Sequence, residues 1–271
     1  MFKIKKNVTE TYFFDTLNMV IIMNTIQWNN KKPKICVPII ETTYDKILEQ
    51  AKRLADQKID LVEWRIDAFE DIKDFSKDTE LAKTIKHILS DIGLLITCRT
   101  QREGGNIHCS KDFYKDLYTT LCKEKVTEVI DIEYDLGKDV LDPLLQIAKE
   151  NQIQVITSHH NFEKTPSKKQ IIDKLTEMKQ AKADIIKLAC MPKNKEDVFA
   201  LMEATAFVKE KDPNVVFITI SMAKEGIPSR ILGEFFGSSM TFASAGKQSA
   251  PGQVDVDTIR TLLDMFHQLQ K

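Results

Sequence analysis

Short apolar runs alternate with amphipathic segments along most of this chain. The apolar runs are rich in β-branched residues and end at polar or turn-forming residues, which predicts strands. The predicted strands lie at 34–40, 60–66, 93–99, 128–134, 154–159, 184–189, 215–221 and 240–243. Segments with helical spacing of apolar residues lie between them. The predicted helices lie at 43–57, 79–90, 110–123, 139–151, 167–181, 195–209, 229–236, where the pattern is weak, and 255–270.

This regular alternation predicts parallel strand–helix–strand units. Eight units in one chain are typical of an α/β fold of the (β/α)8 type, a TIM barrel that forms a single domain over residues 34–271. A doubly wound open sheet is the alternative, but the sequence has no GxGxxG or GxxxxGK[ST] loop to support it. Residues 1–33 are predicted to be an N-terminal extension, in which the segment near 24–33 is a candidate capping strand.

Each predicted strand divides into two faces, because successive side chains of a strand point to opposite sides. In the second strand Trp64 shares an apolar face with its neighbours, whereas Glu63 and Arg65 share the opposite face. The same division puts Arg99 and Lys187 on the ionisable faces of the third and sixth strands. The apolar faces suit the helix layer, so the ionisable groups are expected inside the barrel, near the strand ends where barrel active sites form. A satisfied ion-pair network is the alternative, but convergent ionisable groups favour a polar ligand.

The amino-acid composition limits the kinds of partner that this chain is expected to bind. The chain has 39 basic and 40 acidic residues, so no net field attracts nucleic acid or a membrane surface. The apolar run at 19–23 is too short to span a bilayer. The five cysteines form no CxxC pair, which predicts neither a disulfide framework nor a zinc site and suits a reducing, cytoplasmic location. We therefore expect a small-molecule partner, with no nucleic acid, membrane or metal.

Lys187 lies in the middle of an apolar strand that ends at Pro192. Burial disfavours a charged ammonium group and favours the neutral amine that attacks a carbonyl to form a Schiff base. The alternative is that its side chain extends out of the strand end into water.

The arginine and histidine residues indicate how a substrate carboxylate is bound and which group carries protons. Four of the six arginines, Arg65, Arg99, Arg102 and Arg230, fall at strand ends or in the loops that follow, where a guanidinium group suits a substrate carboxylate. The pair His159–His160 ends the strand next to that of Lys187, so one of the two is expected to reach the amine as a proton carrier. Strand parity does not decide which.

Several of these segments together resemble the type I 3-dehydroquinate dehydratase family, in the right order from Lys34 to Lys271. The matching segments are Glu63–Arg65, Thr97–Thr100, Arg102–Gly105, His160–Phe162, Lys187–Pro192, Ser221–Gly226 with Arg230, and Ser249–Gln253. The resemblance implies a cytoplasmic homodimer of (β/α)8 barrels that dehydrates 3-dehydroquinate to 3-dehydroshikimate. That reaction is the third step of the shikimate pathway to chorismate and the aromatic amino acids, and it uses neither a metal nor an organic cofactor.

The resemblance also implies residue roles. Lys187 would form the Schiff base, His160 rather than His159 would be the general acid and base, and Glu103 would orient that histidine. The implied substrate-binding residues are Arg230 and Gln253 on the carboxylate, Glu63 and Arg99 on the ring hydroxyls, Arg65 beneath them, Met222, Phe162 and Ala250 as apolar walls, and Ser249 on the loop after the eighth strand.

Two positions depart from the family pattern. Asn161 stands where the family commonly has aspartate, and Pro38 where serine is frequent. Asn161 is expected to weaken the support of His160, since an amide carries no charge. The loop at 245–253 consists of small and polar residues with Gly246 and Gly252 as candidate hinges, which predicts a mobile lid.

Two other functions remain open. A class I aldolase or transaldolase also uses a strand lysine in a barrel, but it usually has a phosphate-binding loop after the seventh or eighth strand, for which Gly237 and Gly246 alone are poor evidence. A barrel that only binds a carboxylate ligand as a sensor would be stabilised by that ligand without forming an imine.

Overall fold

The computed structural model describes residues 25–28, 32–246 and 252–270. Eight parallel strands within these residues form the wall of a barrel, with helices packed outside, which confirms the predicted (β/α)8 fold. The strands are β1 Lys34–Ile39, β2 Leu61–Arg65, β3 Gly93–Thr97, β4 Val129–Glu133, β5 Gln154–Asn161, β6 Ile185–Cys190, β7 Val216–Ser221, β8 Met240–Ser244 and a short β9 Val254–Asp255. The helices are α1 Tyr44–Ala55, α2 Phe75–Leu89, α3 Lys111–Lys123, α4 Lys138–Glu150, α5 Lys168–Lys179, α6 Lys195–Lys211, α7 Ile227–Ile231, α8 Gly233–Phe236 and α9 Val256–Leu269.

Two helix predictions differ from the structure for local reasons. The predicted start at Thr79 is wrong because the Asp74 side chain accepts a hydrogen bond from the Lys77 N–H at 3.3 Å and starts α2 at Phe75. The weak pattern at 229–236 corresponds to two short helices, α7 and α8, which meet at Leu232.

The barrel closes through a seam between β7 and β8. Elsewhere neighbouring strands pair directly, and β1 pairs with both β2 and β8. At the seam the Ser239 N–H donates to the Phe217 carbonyl at 2.7 Å, and the Thr219 N–H donates to Ser238 Oγ at 3.0 Å. A single parallel bridge joins Phe217 to Ser238. A serine hydroxyl thus accepts a hydrogen bond that a strand carbonyl would ordinarily accept.

The two faces of the strands pack into separate apolar clusters. The outer cluster confirms the prediction that one face of each strand lies against the helices, whereas the inner apolar cluster was not predicted. Side chains such as Val62, Trp64 and Ile96 pack with the helices in an outer cluster. Leu95 and Ile185, on the opposite faces, belong to an inner cluster that fills the barrel. The ionisable side chains of these inner faces therefore lie inside the barrel, beyond its apolar layer.

The N-terminal end of the barrel is covered by residues 25–28. The Ile26 N–H and Trp28 Nε1 both donate to Gln154 Oε1, at 3.2 and 3.3 Å, and Gln154 Nε2 donates to the Ile26 carbonyl at 3.3 Å. Trp28 is buried in the inner apolar cluster. These four residues form no strand, and they leave the C-terminal ends of the strands as the open end.

Strand β9 extends the sheet where the chain returns to the barrel. It pairs in parallel with β8, with Val254 opposite Ala243, and so fixes the preceding Gln253 beside the open end. The part of the chain that the structure describes contains no helix with the length and apolar character needed to cross a membrane.

Candidate active site

A cavity of about 320 Å³ opens at the C-terminal ends of the strands. It brings together ten of the residues predicted for the site. These are Glu63, Arg65, Arg99, Glu103, His160, Phe162, Lys187, Met222, Arg230 and Gln253. The predicted Ser249 and Ala250, and most of the predicted lid, lie outside the described residues. The cavity also has lining residues that were not predicted, namely Gly104, Ala189, Ile220 and Phe242.

Lys187 extends from β6 into this cavity and is 3% exposed. Its Nζ donates to Asp131 Oδ2 at 2.9 Å and lies 3.9 Å from Glu63 Oε1. The ammonium also lies over the Phe242 ring, 4.7 Å from its centroid. The prediction of a buried lysine is confirmed, and the alternative of a side chain that reaches out into water is wrong.

Asp131 was not predicted as a site residue, although it lies on the inner face of β4. It is fully buried and accepts hydrogen bonds from Lys187, from Arg99 Nη2 at 2.8 Å and from Ser158 Oγ at 2.5 Å. Burial alone would raise the pKa of Asp131, but the adjacent cations Arg99 and Lys187 lower that pKa to about 2. Asp131 is therefore a fixed negative charge beside the lysine amine.

Arg99 joins the inner faces of three strands. Its Nη1 donates to Ser158 Oγ at 2.8 Å, to Glu103 Oε2 at 3.2 Å and to Glu133 Oε1 at 3.3 Å. Burial alone would lower the pKa of Arg99, but the carboxylates of Asp131, Glu103 and Glu133 raise that pKa well above its usual value, so Arg99 stays charged. The ion-pair network considered as an alternative to a ligand site thus exists around Arg99, but it does not include every cation of the cavity.

Arg230 is the cation that the network leaves out. It rises from α7, is 3% exposed, and has no acidic partner within salt-bridge distance among the described residues. Its Nε has no hydrogen-bond partner in the same part of the chain, and its Nη1 reaches only the Phe242 carbonyl, at 3.5 Å. Burial lowers the pKa of Arg230 to about 10, so the guanidinium remains charged at neutral pH. A buried cation that faces a cavity in this way suits an anionic ligand.

Two further ionic groups are held by neighbouring strands. Arg65 donates to both oxygens of Asp67, Nε at 2.7 Å and Nη2 at 2.8 Å, and Asp67 also accepts from the Arg99 N–H at 3.1 Å. Glu63 accepts from Thr97 Oγ1 at 2.8 Å. Both side chains line the cavity, and these hydrogen bonds fix their orientation.

His160 and Glu103 form the second chemical unit of the cavity. A 3-10 turn at Gln101–Glu103 follows β3 and brings Glu103 Oε2 to 2.7 Å from His160 Nδ1. Burial lowers the pKa of His160 well below its usual value, and the nearby cations Arg99 and Lys187 lower it further. Burial raises the pKa of Glu103 to about 8, although Arg99 opposes this. Both directions favour the uncharged forms of His160 and Glu103.

His159 lies elsewhere. Its Nδ1 shares a 2.6 Å hydrogen bond with Asp135 Oδ2, and Lys174 donates to the other oxygen of Asp135 at 2.7 Å. These residues lie outside the cavity lining, so the structure brings His160, and not His159, to the cavity of Lys187. The roles of the two histidines stay predictions.

Asn161 acts in the turn after β5. Its Oδ1 accepts from the N–H groups of Glu163 and Lys164, at 3.1 and 3.0 Å. The carboxylate that contacts His160 belongs to Glu103 instead. The amide of Asn161 therefore does not replace the carboxylate that supports His160.

One group of possible metal ligands lies at the edge of the site. Single ligand atoms of Glu103, Asp135 and His159 lie within 4.8 Å of one another. Both carboxylates already have cationic partners, Arg99 for Glu103 and Lys174 for Asp135. We therefore assign no metal to this group.

Comparison with known proteins gives a consistent result. Residues 35–270 match the family model described as type I 3-dehydroquinase. A 3-dehydroquinate dehydratase of Listeria monocytogenes is 42% identical over 252 residues, which cover 93% of this chain and 99% of the relative.

Solved structures agree with the sequence relatives. The type I 3-dehydroquinate dehydratase of Clostridium difficile, solved with covalently modified comenic acid, has a TM-score of 0.85 at 37% identity and covers 88% of this chain and 94% of its own. The 3-dehydroquinate dehydratase of Geobacillus kaustophilus also has a TM-score of 0.85, at 31% identity, with 89% and 93% covered. The match extends over the strands that carry Lys187 and His160 and over the helix that carries Arg230, and the chain belongs to the type I 3-dehydroquinase family.

Proposed function

We propose that this chain dehydrates 3-dehydroquinate to 3-dehydroshikimate through a Schiff base on Lys187, as the third step of the shikimate pathway. The observation that carries the proposal is the joint placement of three groups in one cavity. They are the buried amine of Lys187, the 2.7 Å pair of His160 with Glu103, and the buried cation of Arg230. A ketone that also carries a carboxylate meets all three.

Lys187 would attack the ketone carbon after losing a proton, and loss of water would give an iminium cation. Asp131, whose Oδ2 lies 2.9 Å from Nζ, keeps a negative charge beside the nitrogen throughout. Because the ammonium and the iminium both carry one positive charge, Asp131 stabilises the cationic intermediate as it stabilises the resting lysine. Its low pKa keeps it ionised for this role.

His160 would move the proton that the reaction requires. The iminium draws electrons and acidifies the neighbouring C–H bond, so neutral His160 removes that proton and an enamine forms. Collapse of the enamine expels the tertiary hydroxyl group, which His160 protonates as it leaves as water. Hydrolysis of the product imine frees Lys187. The lowered pKa of His160 favours the neutral form that begins this sequence.

The remaining residues would bind and orient the substrate. Arg230 and Gln253 would hold its carboxylate, and Glu63 and Arg99 would contact the ring hydroxyls, with Arg65 beneath them. The proposed apolar walls are Met222, Phe162 and Ala250, and Ser249 would contribute from the loop after β8. The iminium supplies the electron sink, so the proposal needs no cofactor or metal.

We also propose that the protein is a cytoplasmic homodimer. Light scattering coupled to size exclusion would test the dimer by its mass.

Reduction with borohydride in the presence of 3-dehydroquinate is the decisive experiment. We expect one adduct, located on Lys187 by peptide mass spectrometry, and none in Lys187→Met. Lys86 is a matched internal control, because it is buried and paired with Glu128 at 2.7 Å but lies outside the cavity. An adduct on another lysine, or an active preparation with no adduct, would contradict the mechanism.

The same experiment separates the other two functions. Products of carbon–carbon cleavage would indicate an aldolase. Ligand-induced stabilisation without a trapped imine would indicate a binding protein.

A further inference from the structure

Phe162 is an exposed aromatic side chain beside the catalytic pair. It is 45% exposed, which is unusual for a phenylalanine that follows a buried strand so closely. Its ring stacks on the ring of His160, with centroids 6.3 Å apart and planes inclined by 20°. Packing of the hydrophobic core does not account for an aromatic ring held in this place.

The Phe162 ring also packs against a glycine. Gly104 directly follows Glu103 and has a φ of 76°, in the left-handed region that side chains disfavour. A Cβ at this position would lie 2.6 Å from two ring carbons of Phe162. The ring can therefore occupy this position only because residue 104 has no side chain.

The ring lies between two hollows of the surface. One is the cavity of Lys187, and the other is an outer groove of about 470 Å³ that is lined by ionisable residues such as Asp135 and His159. The two hollows share four lining residues, namely Glu103, Gly104, His160 and Phe162. Glu103 and His160 already touch the outer groove at their edges, and the ring covers the ring face of His160, so loss of the Phe162 ring would widen the access of water to their hydrogen bond.

We propose that Phe162, seated on Gly104, is a solvent shield for the His160–Glu103 pair, and that Gly104 is a positioning residue for this shield. The inference deepens the proposed function, on which it rests. It assigns Phe162 an action on the proton carrier in addition to contact with substrate. Gly104 acts only through Phe162.

Removal of the shield has a predictable electrostatic effect. Burial is the first cause of the lowered pKa of His160, so admitting water should raise that pKa toward its usual value. Water would also screen the surrounding charges. The ionisable groups that act on His160 are Glu103, Arg99, Lys187, His159 and Arg65. Among them the cations lower the pKa of His160, so screening them acts in the same direction as hydration.

Four variants test the shield. Phe162→Ala removes the ring, and Phe162→Leu keeps an apolar cover. Gly104→Ala displaces the ring but leaves its chemistry unchanged. Gly137→Ala is the matched control, because Gly137 also has a positive φ, of 98°, and its Cβ would meet the ends of two flexible side chains, those of Asp139 and Lys111, away from the cavity.

The pH profile of kcat/KM is the first measurement, because its acid limb reports the pKa of the base in the free enzyme. We expect the limb to move to higher pH by about one unit in Phe162→Ala and Gly104→Ala. Phe162→Leu and Gly137→Ala should keep the wild-type limb. If Phe162→Ala changes KM but leaves the limb in place, Phe162 is only a wall for the substrate and the proposal is wrong. A Gly104→Ala profile identical to that of Gly137→Ala would also overturn it.

A titration of the His160 ring by NMR needs no turnover and keeps this test separate from the proposed function. Histidine-labelled protein gives signals for His160, assigned by their loss in His160→Gln. The apparent pKa of His160 should rise in Phe162→Ala and stay unchanged in Phe162→Leu. An unchanged pKa in both variants refutes the shield even if the enzyme is active. If the pKa of His160 rises in Phe162→Ala but the wild-type protein has no dehydratase activity, the shield stands and only the proposed function is refuted.

Discussion

At the scale of single residues, Lys187 and Arg99 both face the cavity inside the barrel. Strand parity predicted both positions, because Lys187 lies on β6 and Arg99 lies two residues beyond the end of β3. Strand parity could not predict the contact of Lys187 with Asp131, since that contact depends on how β4, β5 and β6 align. Arg230 lies on a short helix, where parity has no meaning, and its role was predicted from the placement of the arginines and from the resemblance instead. The contact of Phe162 with Gly104 has no sequence pattern at all.

The two adjacent histidines give a prediction at this scale. His160→Ala should lower kcat by roughly 10² to 10⁴, the usual contribution of a positioned acid or base, while imine formation on Lys187 persists. His159→Ala should be much milder, because His159 pairs with Asp135 outside the cavity. Steady-state kinetics and borohydride trapping measure the two effects. A larger loss of kcat for His159→Ala would reverse the assignment.

Asp78 gives a prediction about stability. It is fully buried in α2, and neither carboxylate oxygen has a hydrogen-bond partner among the described residues. Burial raises the pKa of Asp78 to about 8, and Asp74 and Asp71 add to the effect. Its contribution to stability is therefore complete below the unfolded pKa of about 4 and is lost as pH rises to about 8.

Asp78→Asn should accordingly increase the free energy of unfolding near pH 7.5 by roughly 1 to 3 kcal/mol and have little effect near pH 4. Urea unfolding at several pH values measures the difference. The exposed Asp112 in the first turn of α3 is the control, and its replacement by Asn should show no such trend. A gain that does not depend on pH would exclude titration of Asp78 as the cause.

At the scale of elements, the seam between β7 and β8 is the part of the wall that sequence periodicity could not reveal. Both strands were predicted, with ends close to the observed ones, because their apolar runs are distinct. Their junction, however, depends on a side-chain hydroxyl, that of Ser238, and no periodic pattern marks one serine as part of a sheet.

Ser238→Ala should leave the buried N–H of Thr219 without an acceptor and lower the free energy of unfolding by about 1 to 3 kcal/mol. Ser239→Ala should be nearly neutral, because residue 239 contributes its backbone N–H to Phe217. Chemical denaturation of the two variants gives the comparison. Equal effects would show that the Ser238 hydroxyl does not close the barrel.

At the scale of the whole molecule, residues 25–28 belong to the barrel as its N-terminal cover. Trp28→Ala should lower the free energy of unfolding by about 3 to 5 kcal/mol, because a large buried ring is removed from the inner cluster. The exposed Gln27 is the control, and Gln27→Ala should be close to neutral. Thermal and urea unfolding measure both. If the two variants are equally stable, the segment does not help to close the barrel.

The covered N-terminal end has a consequence for water. In the proposed reaction, imine formation releases one water molecule, elimination releases a second, and hydrolysis of the product imine consumes one. Trp28 and the inner apolar cluster fill the other end of the barrel, so among the described residues the exit for these molecules lies at the C-terminal ends of the strands. The water released when the imine forms is thus set free at the same end of the barrel at which hydrolysis of the product imine consumes one.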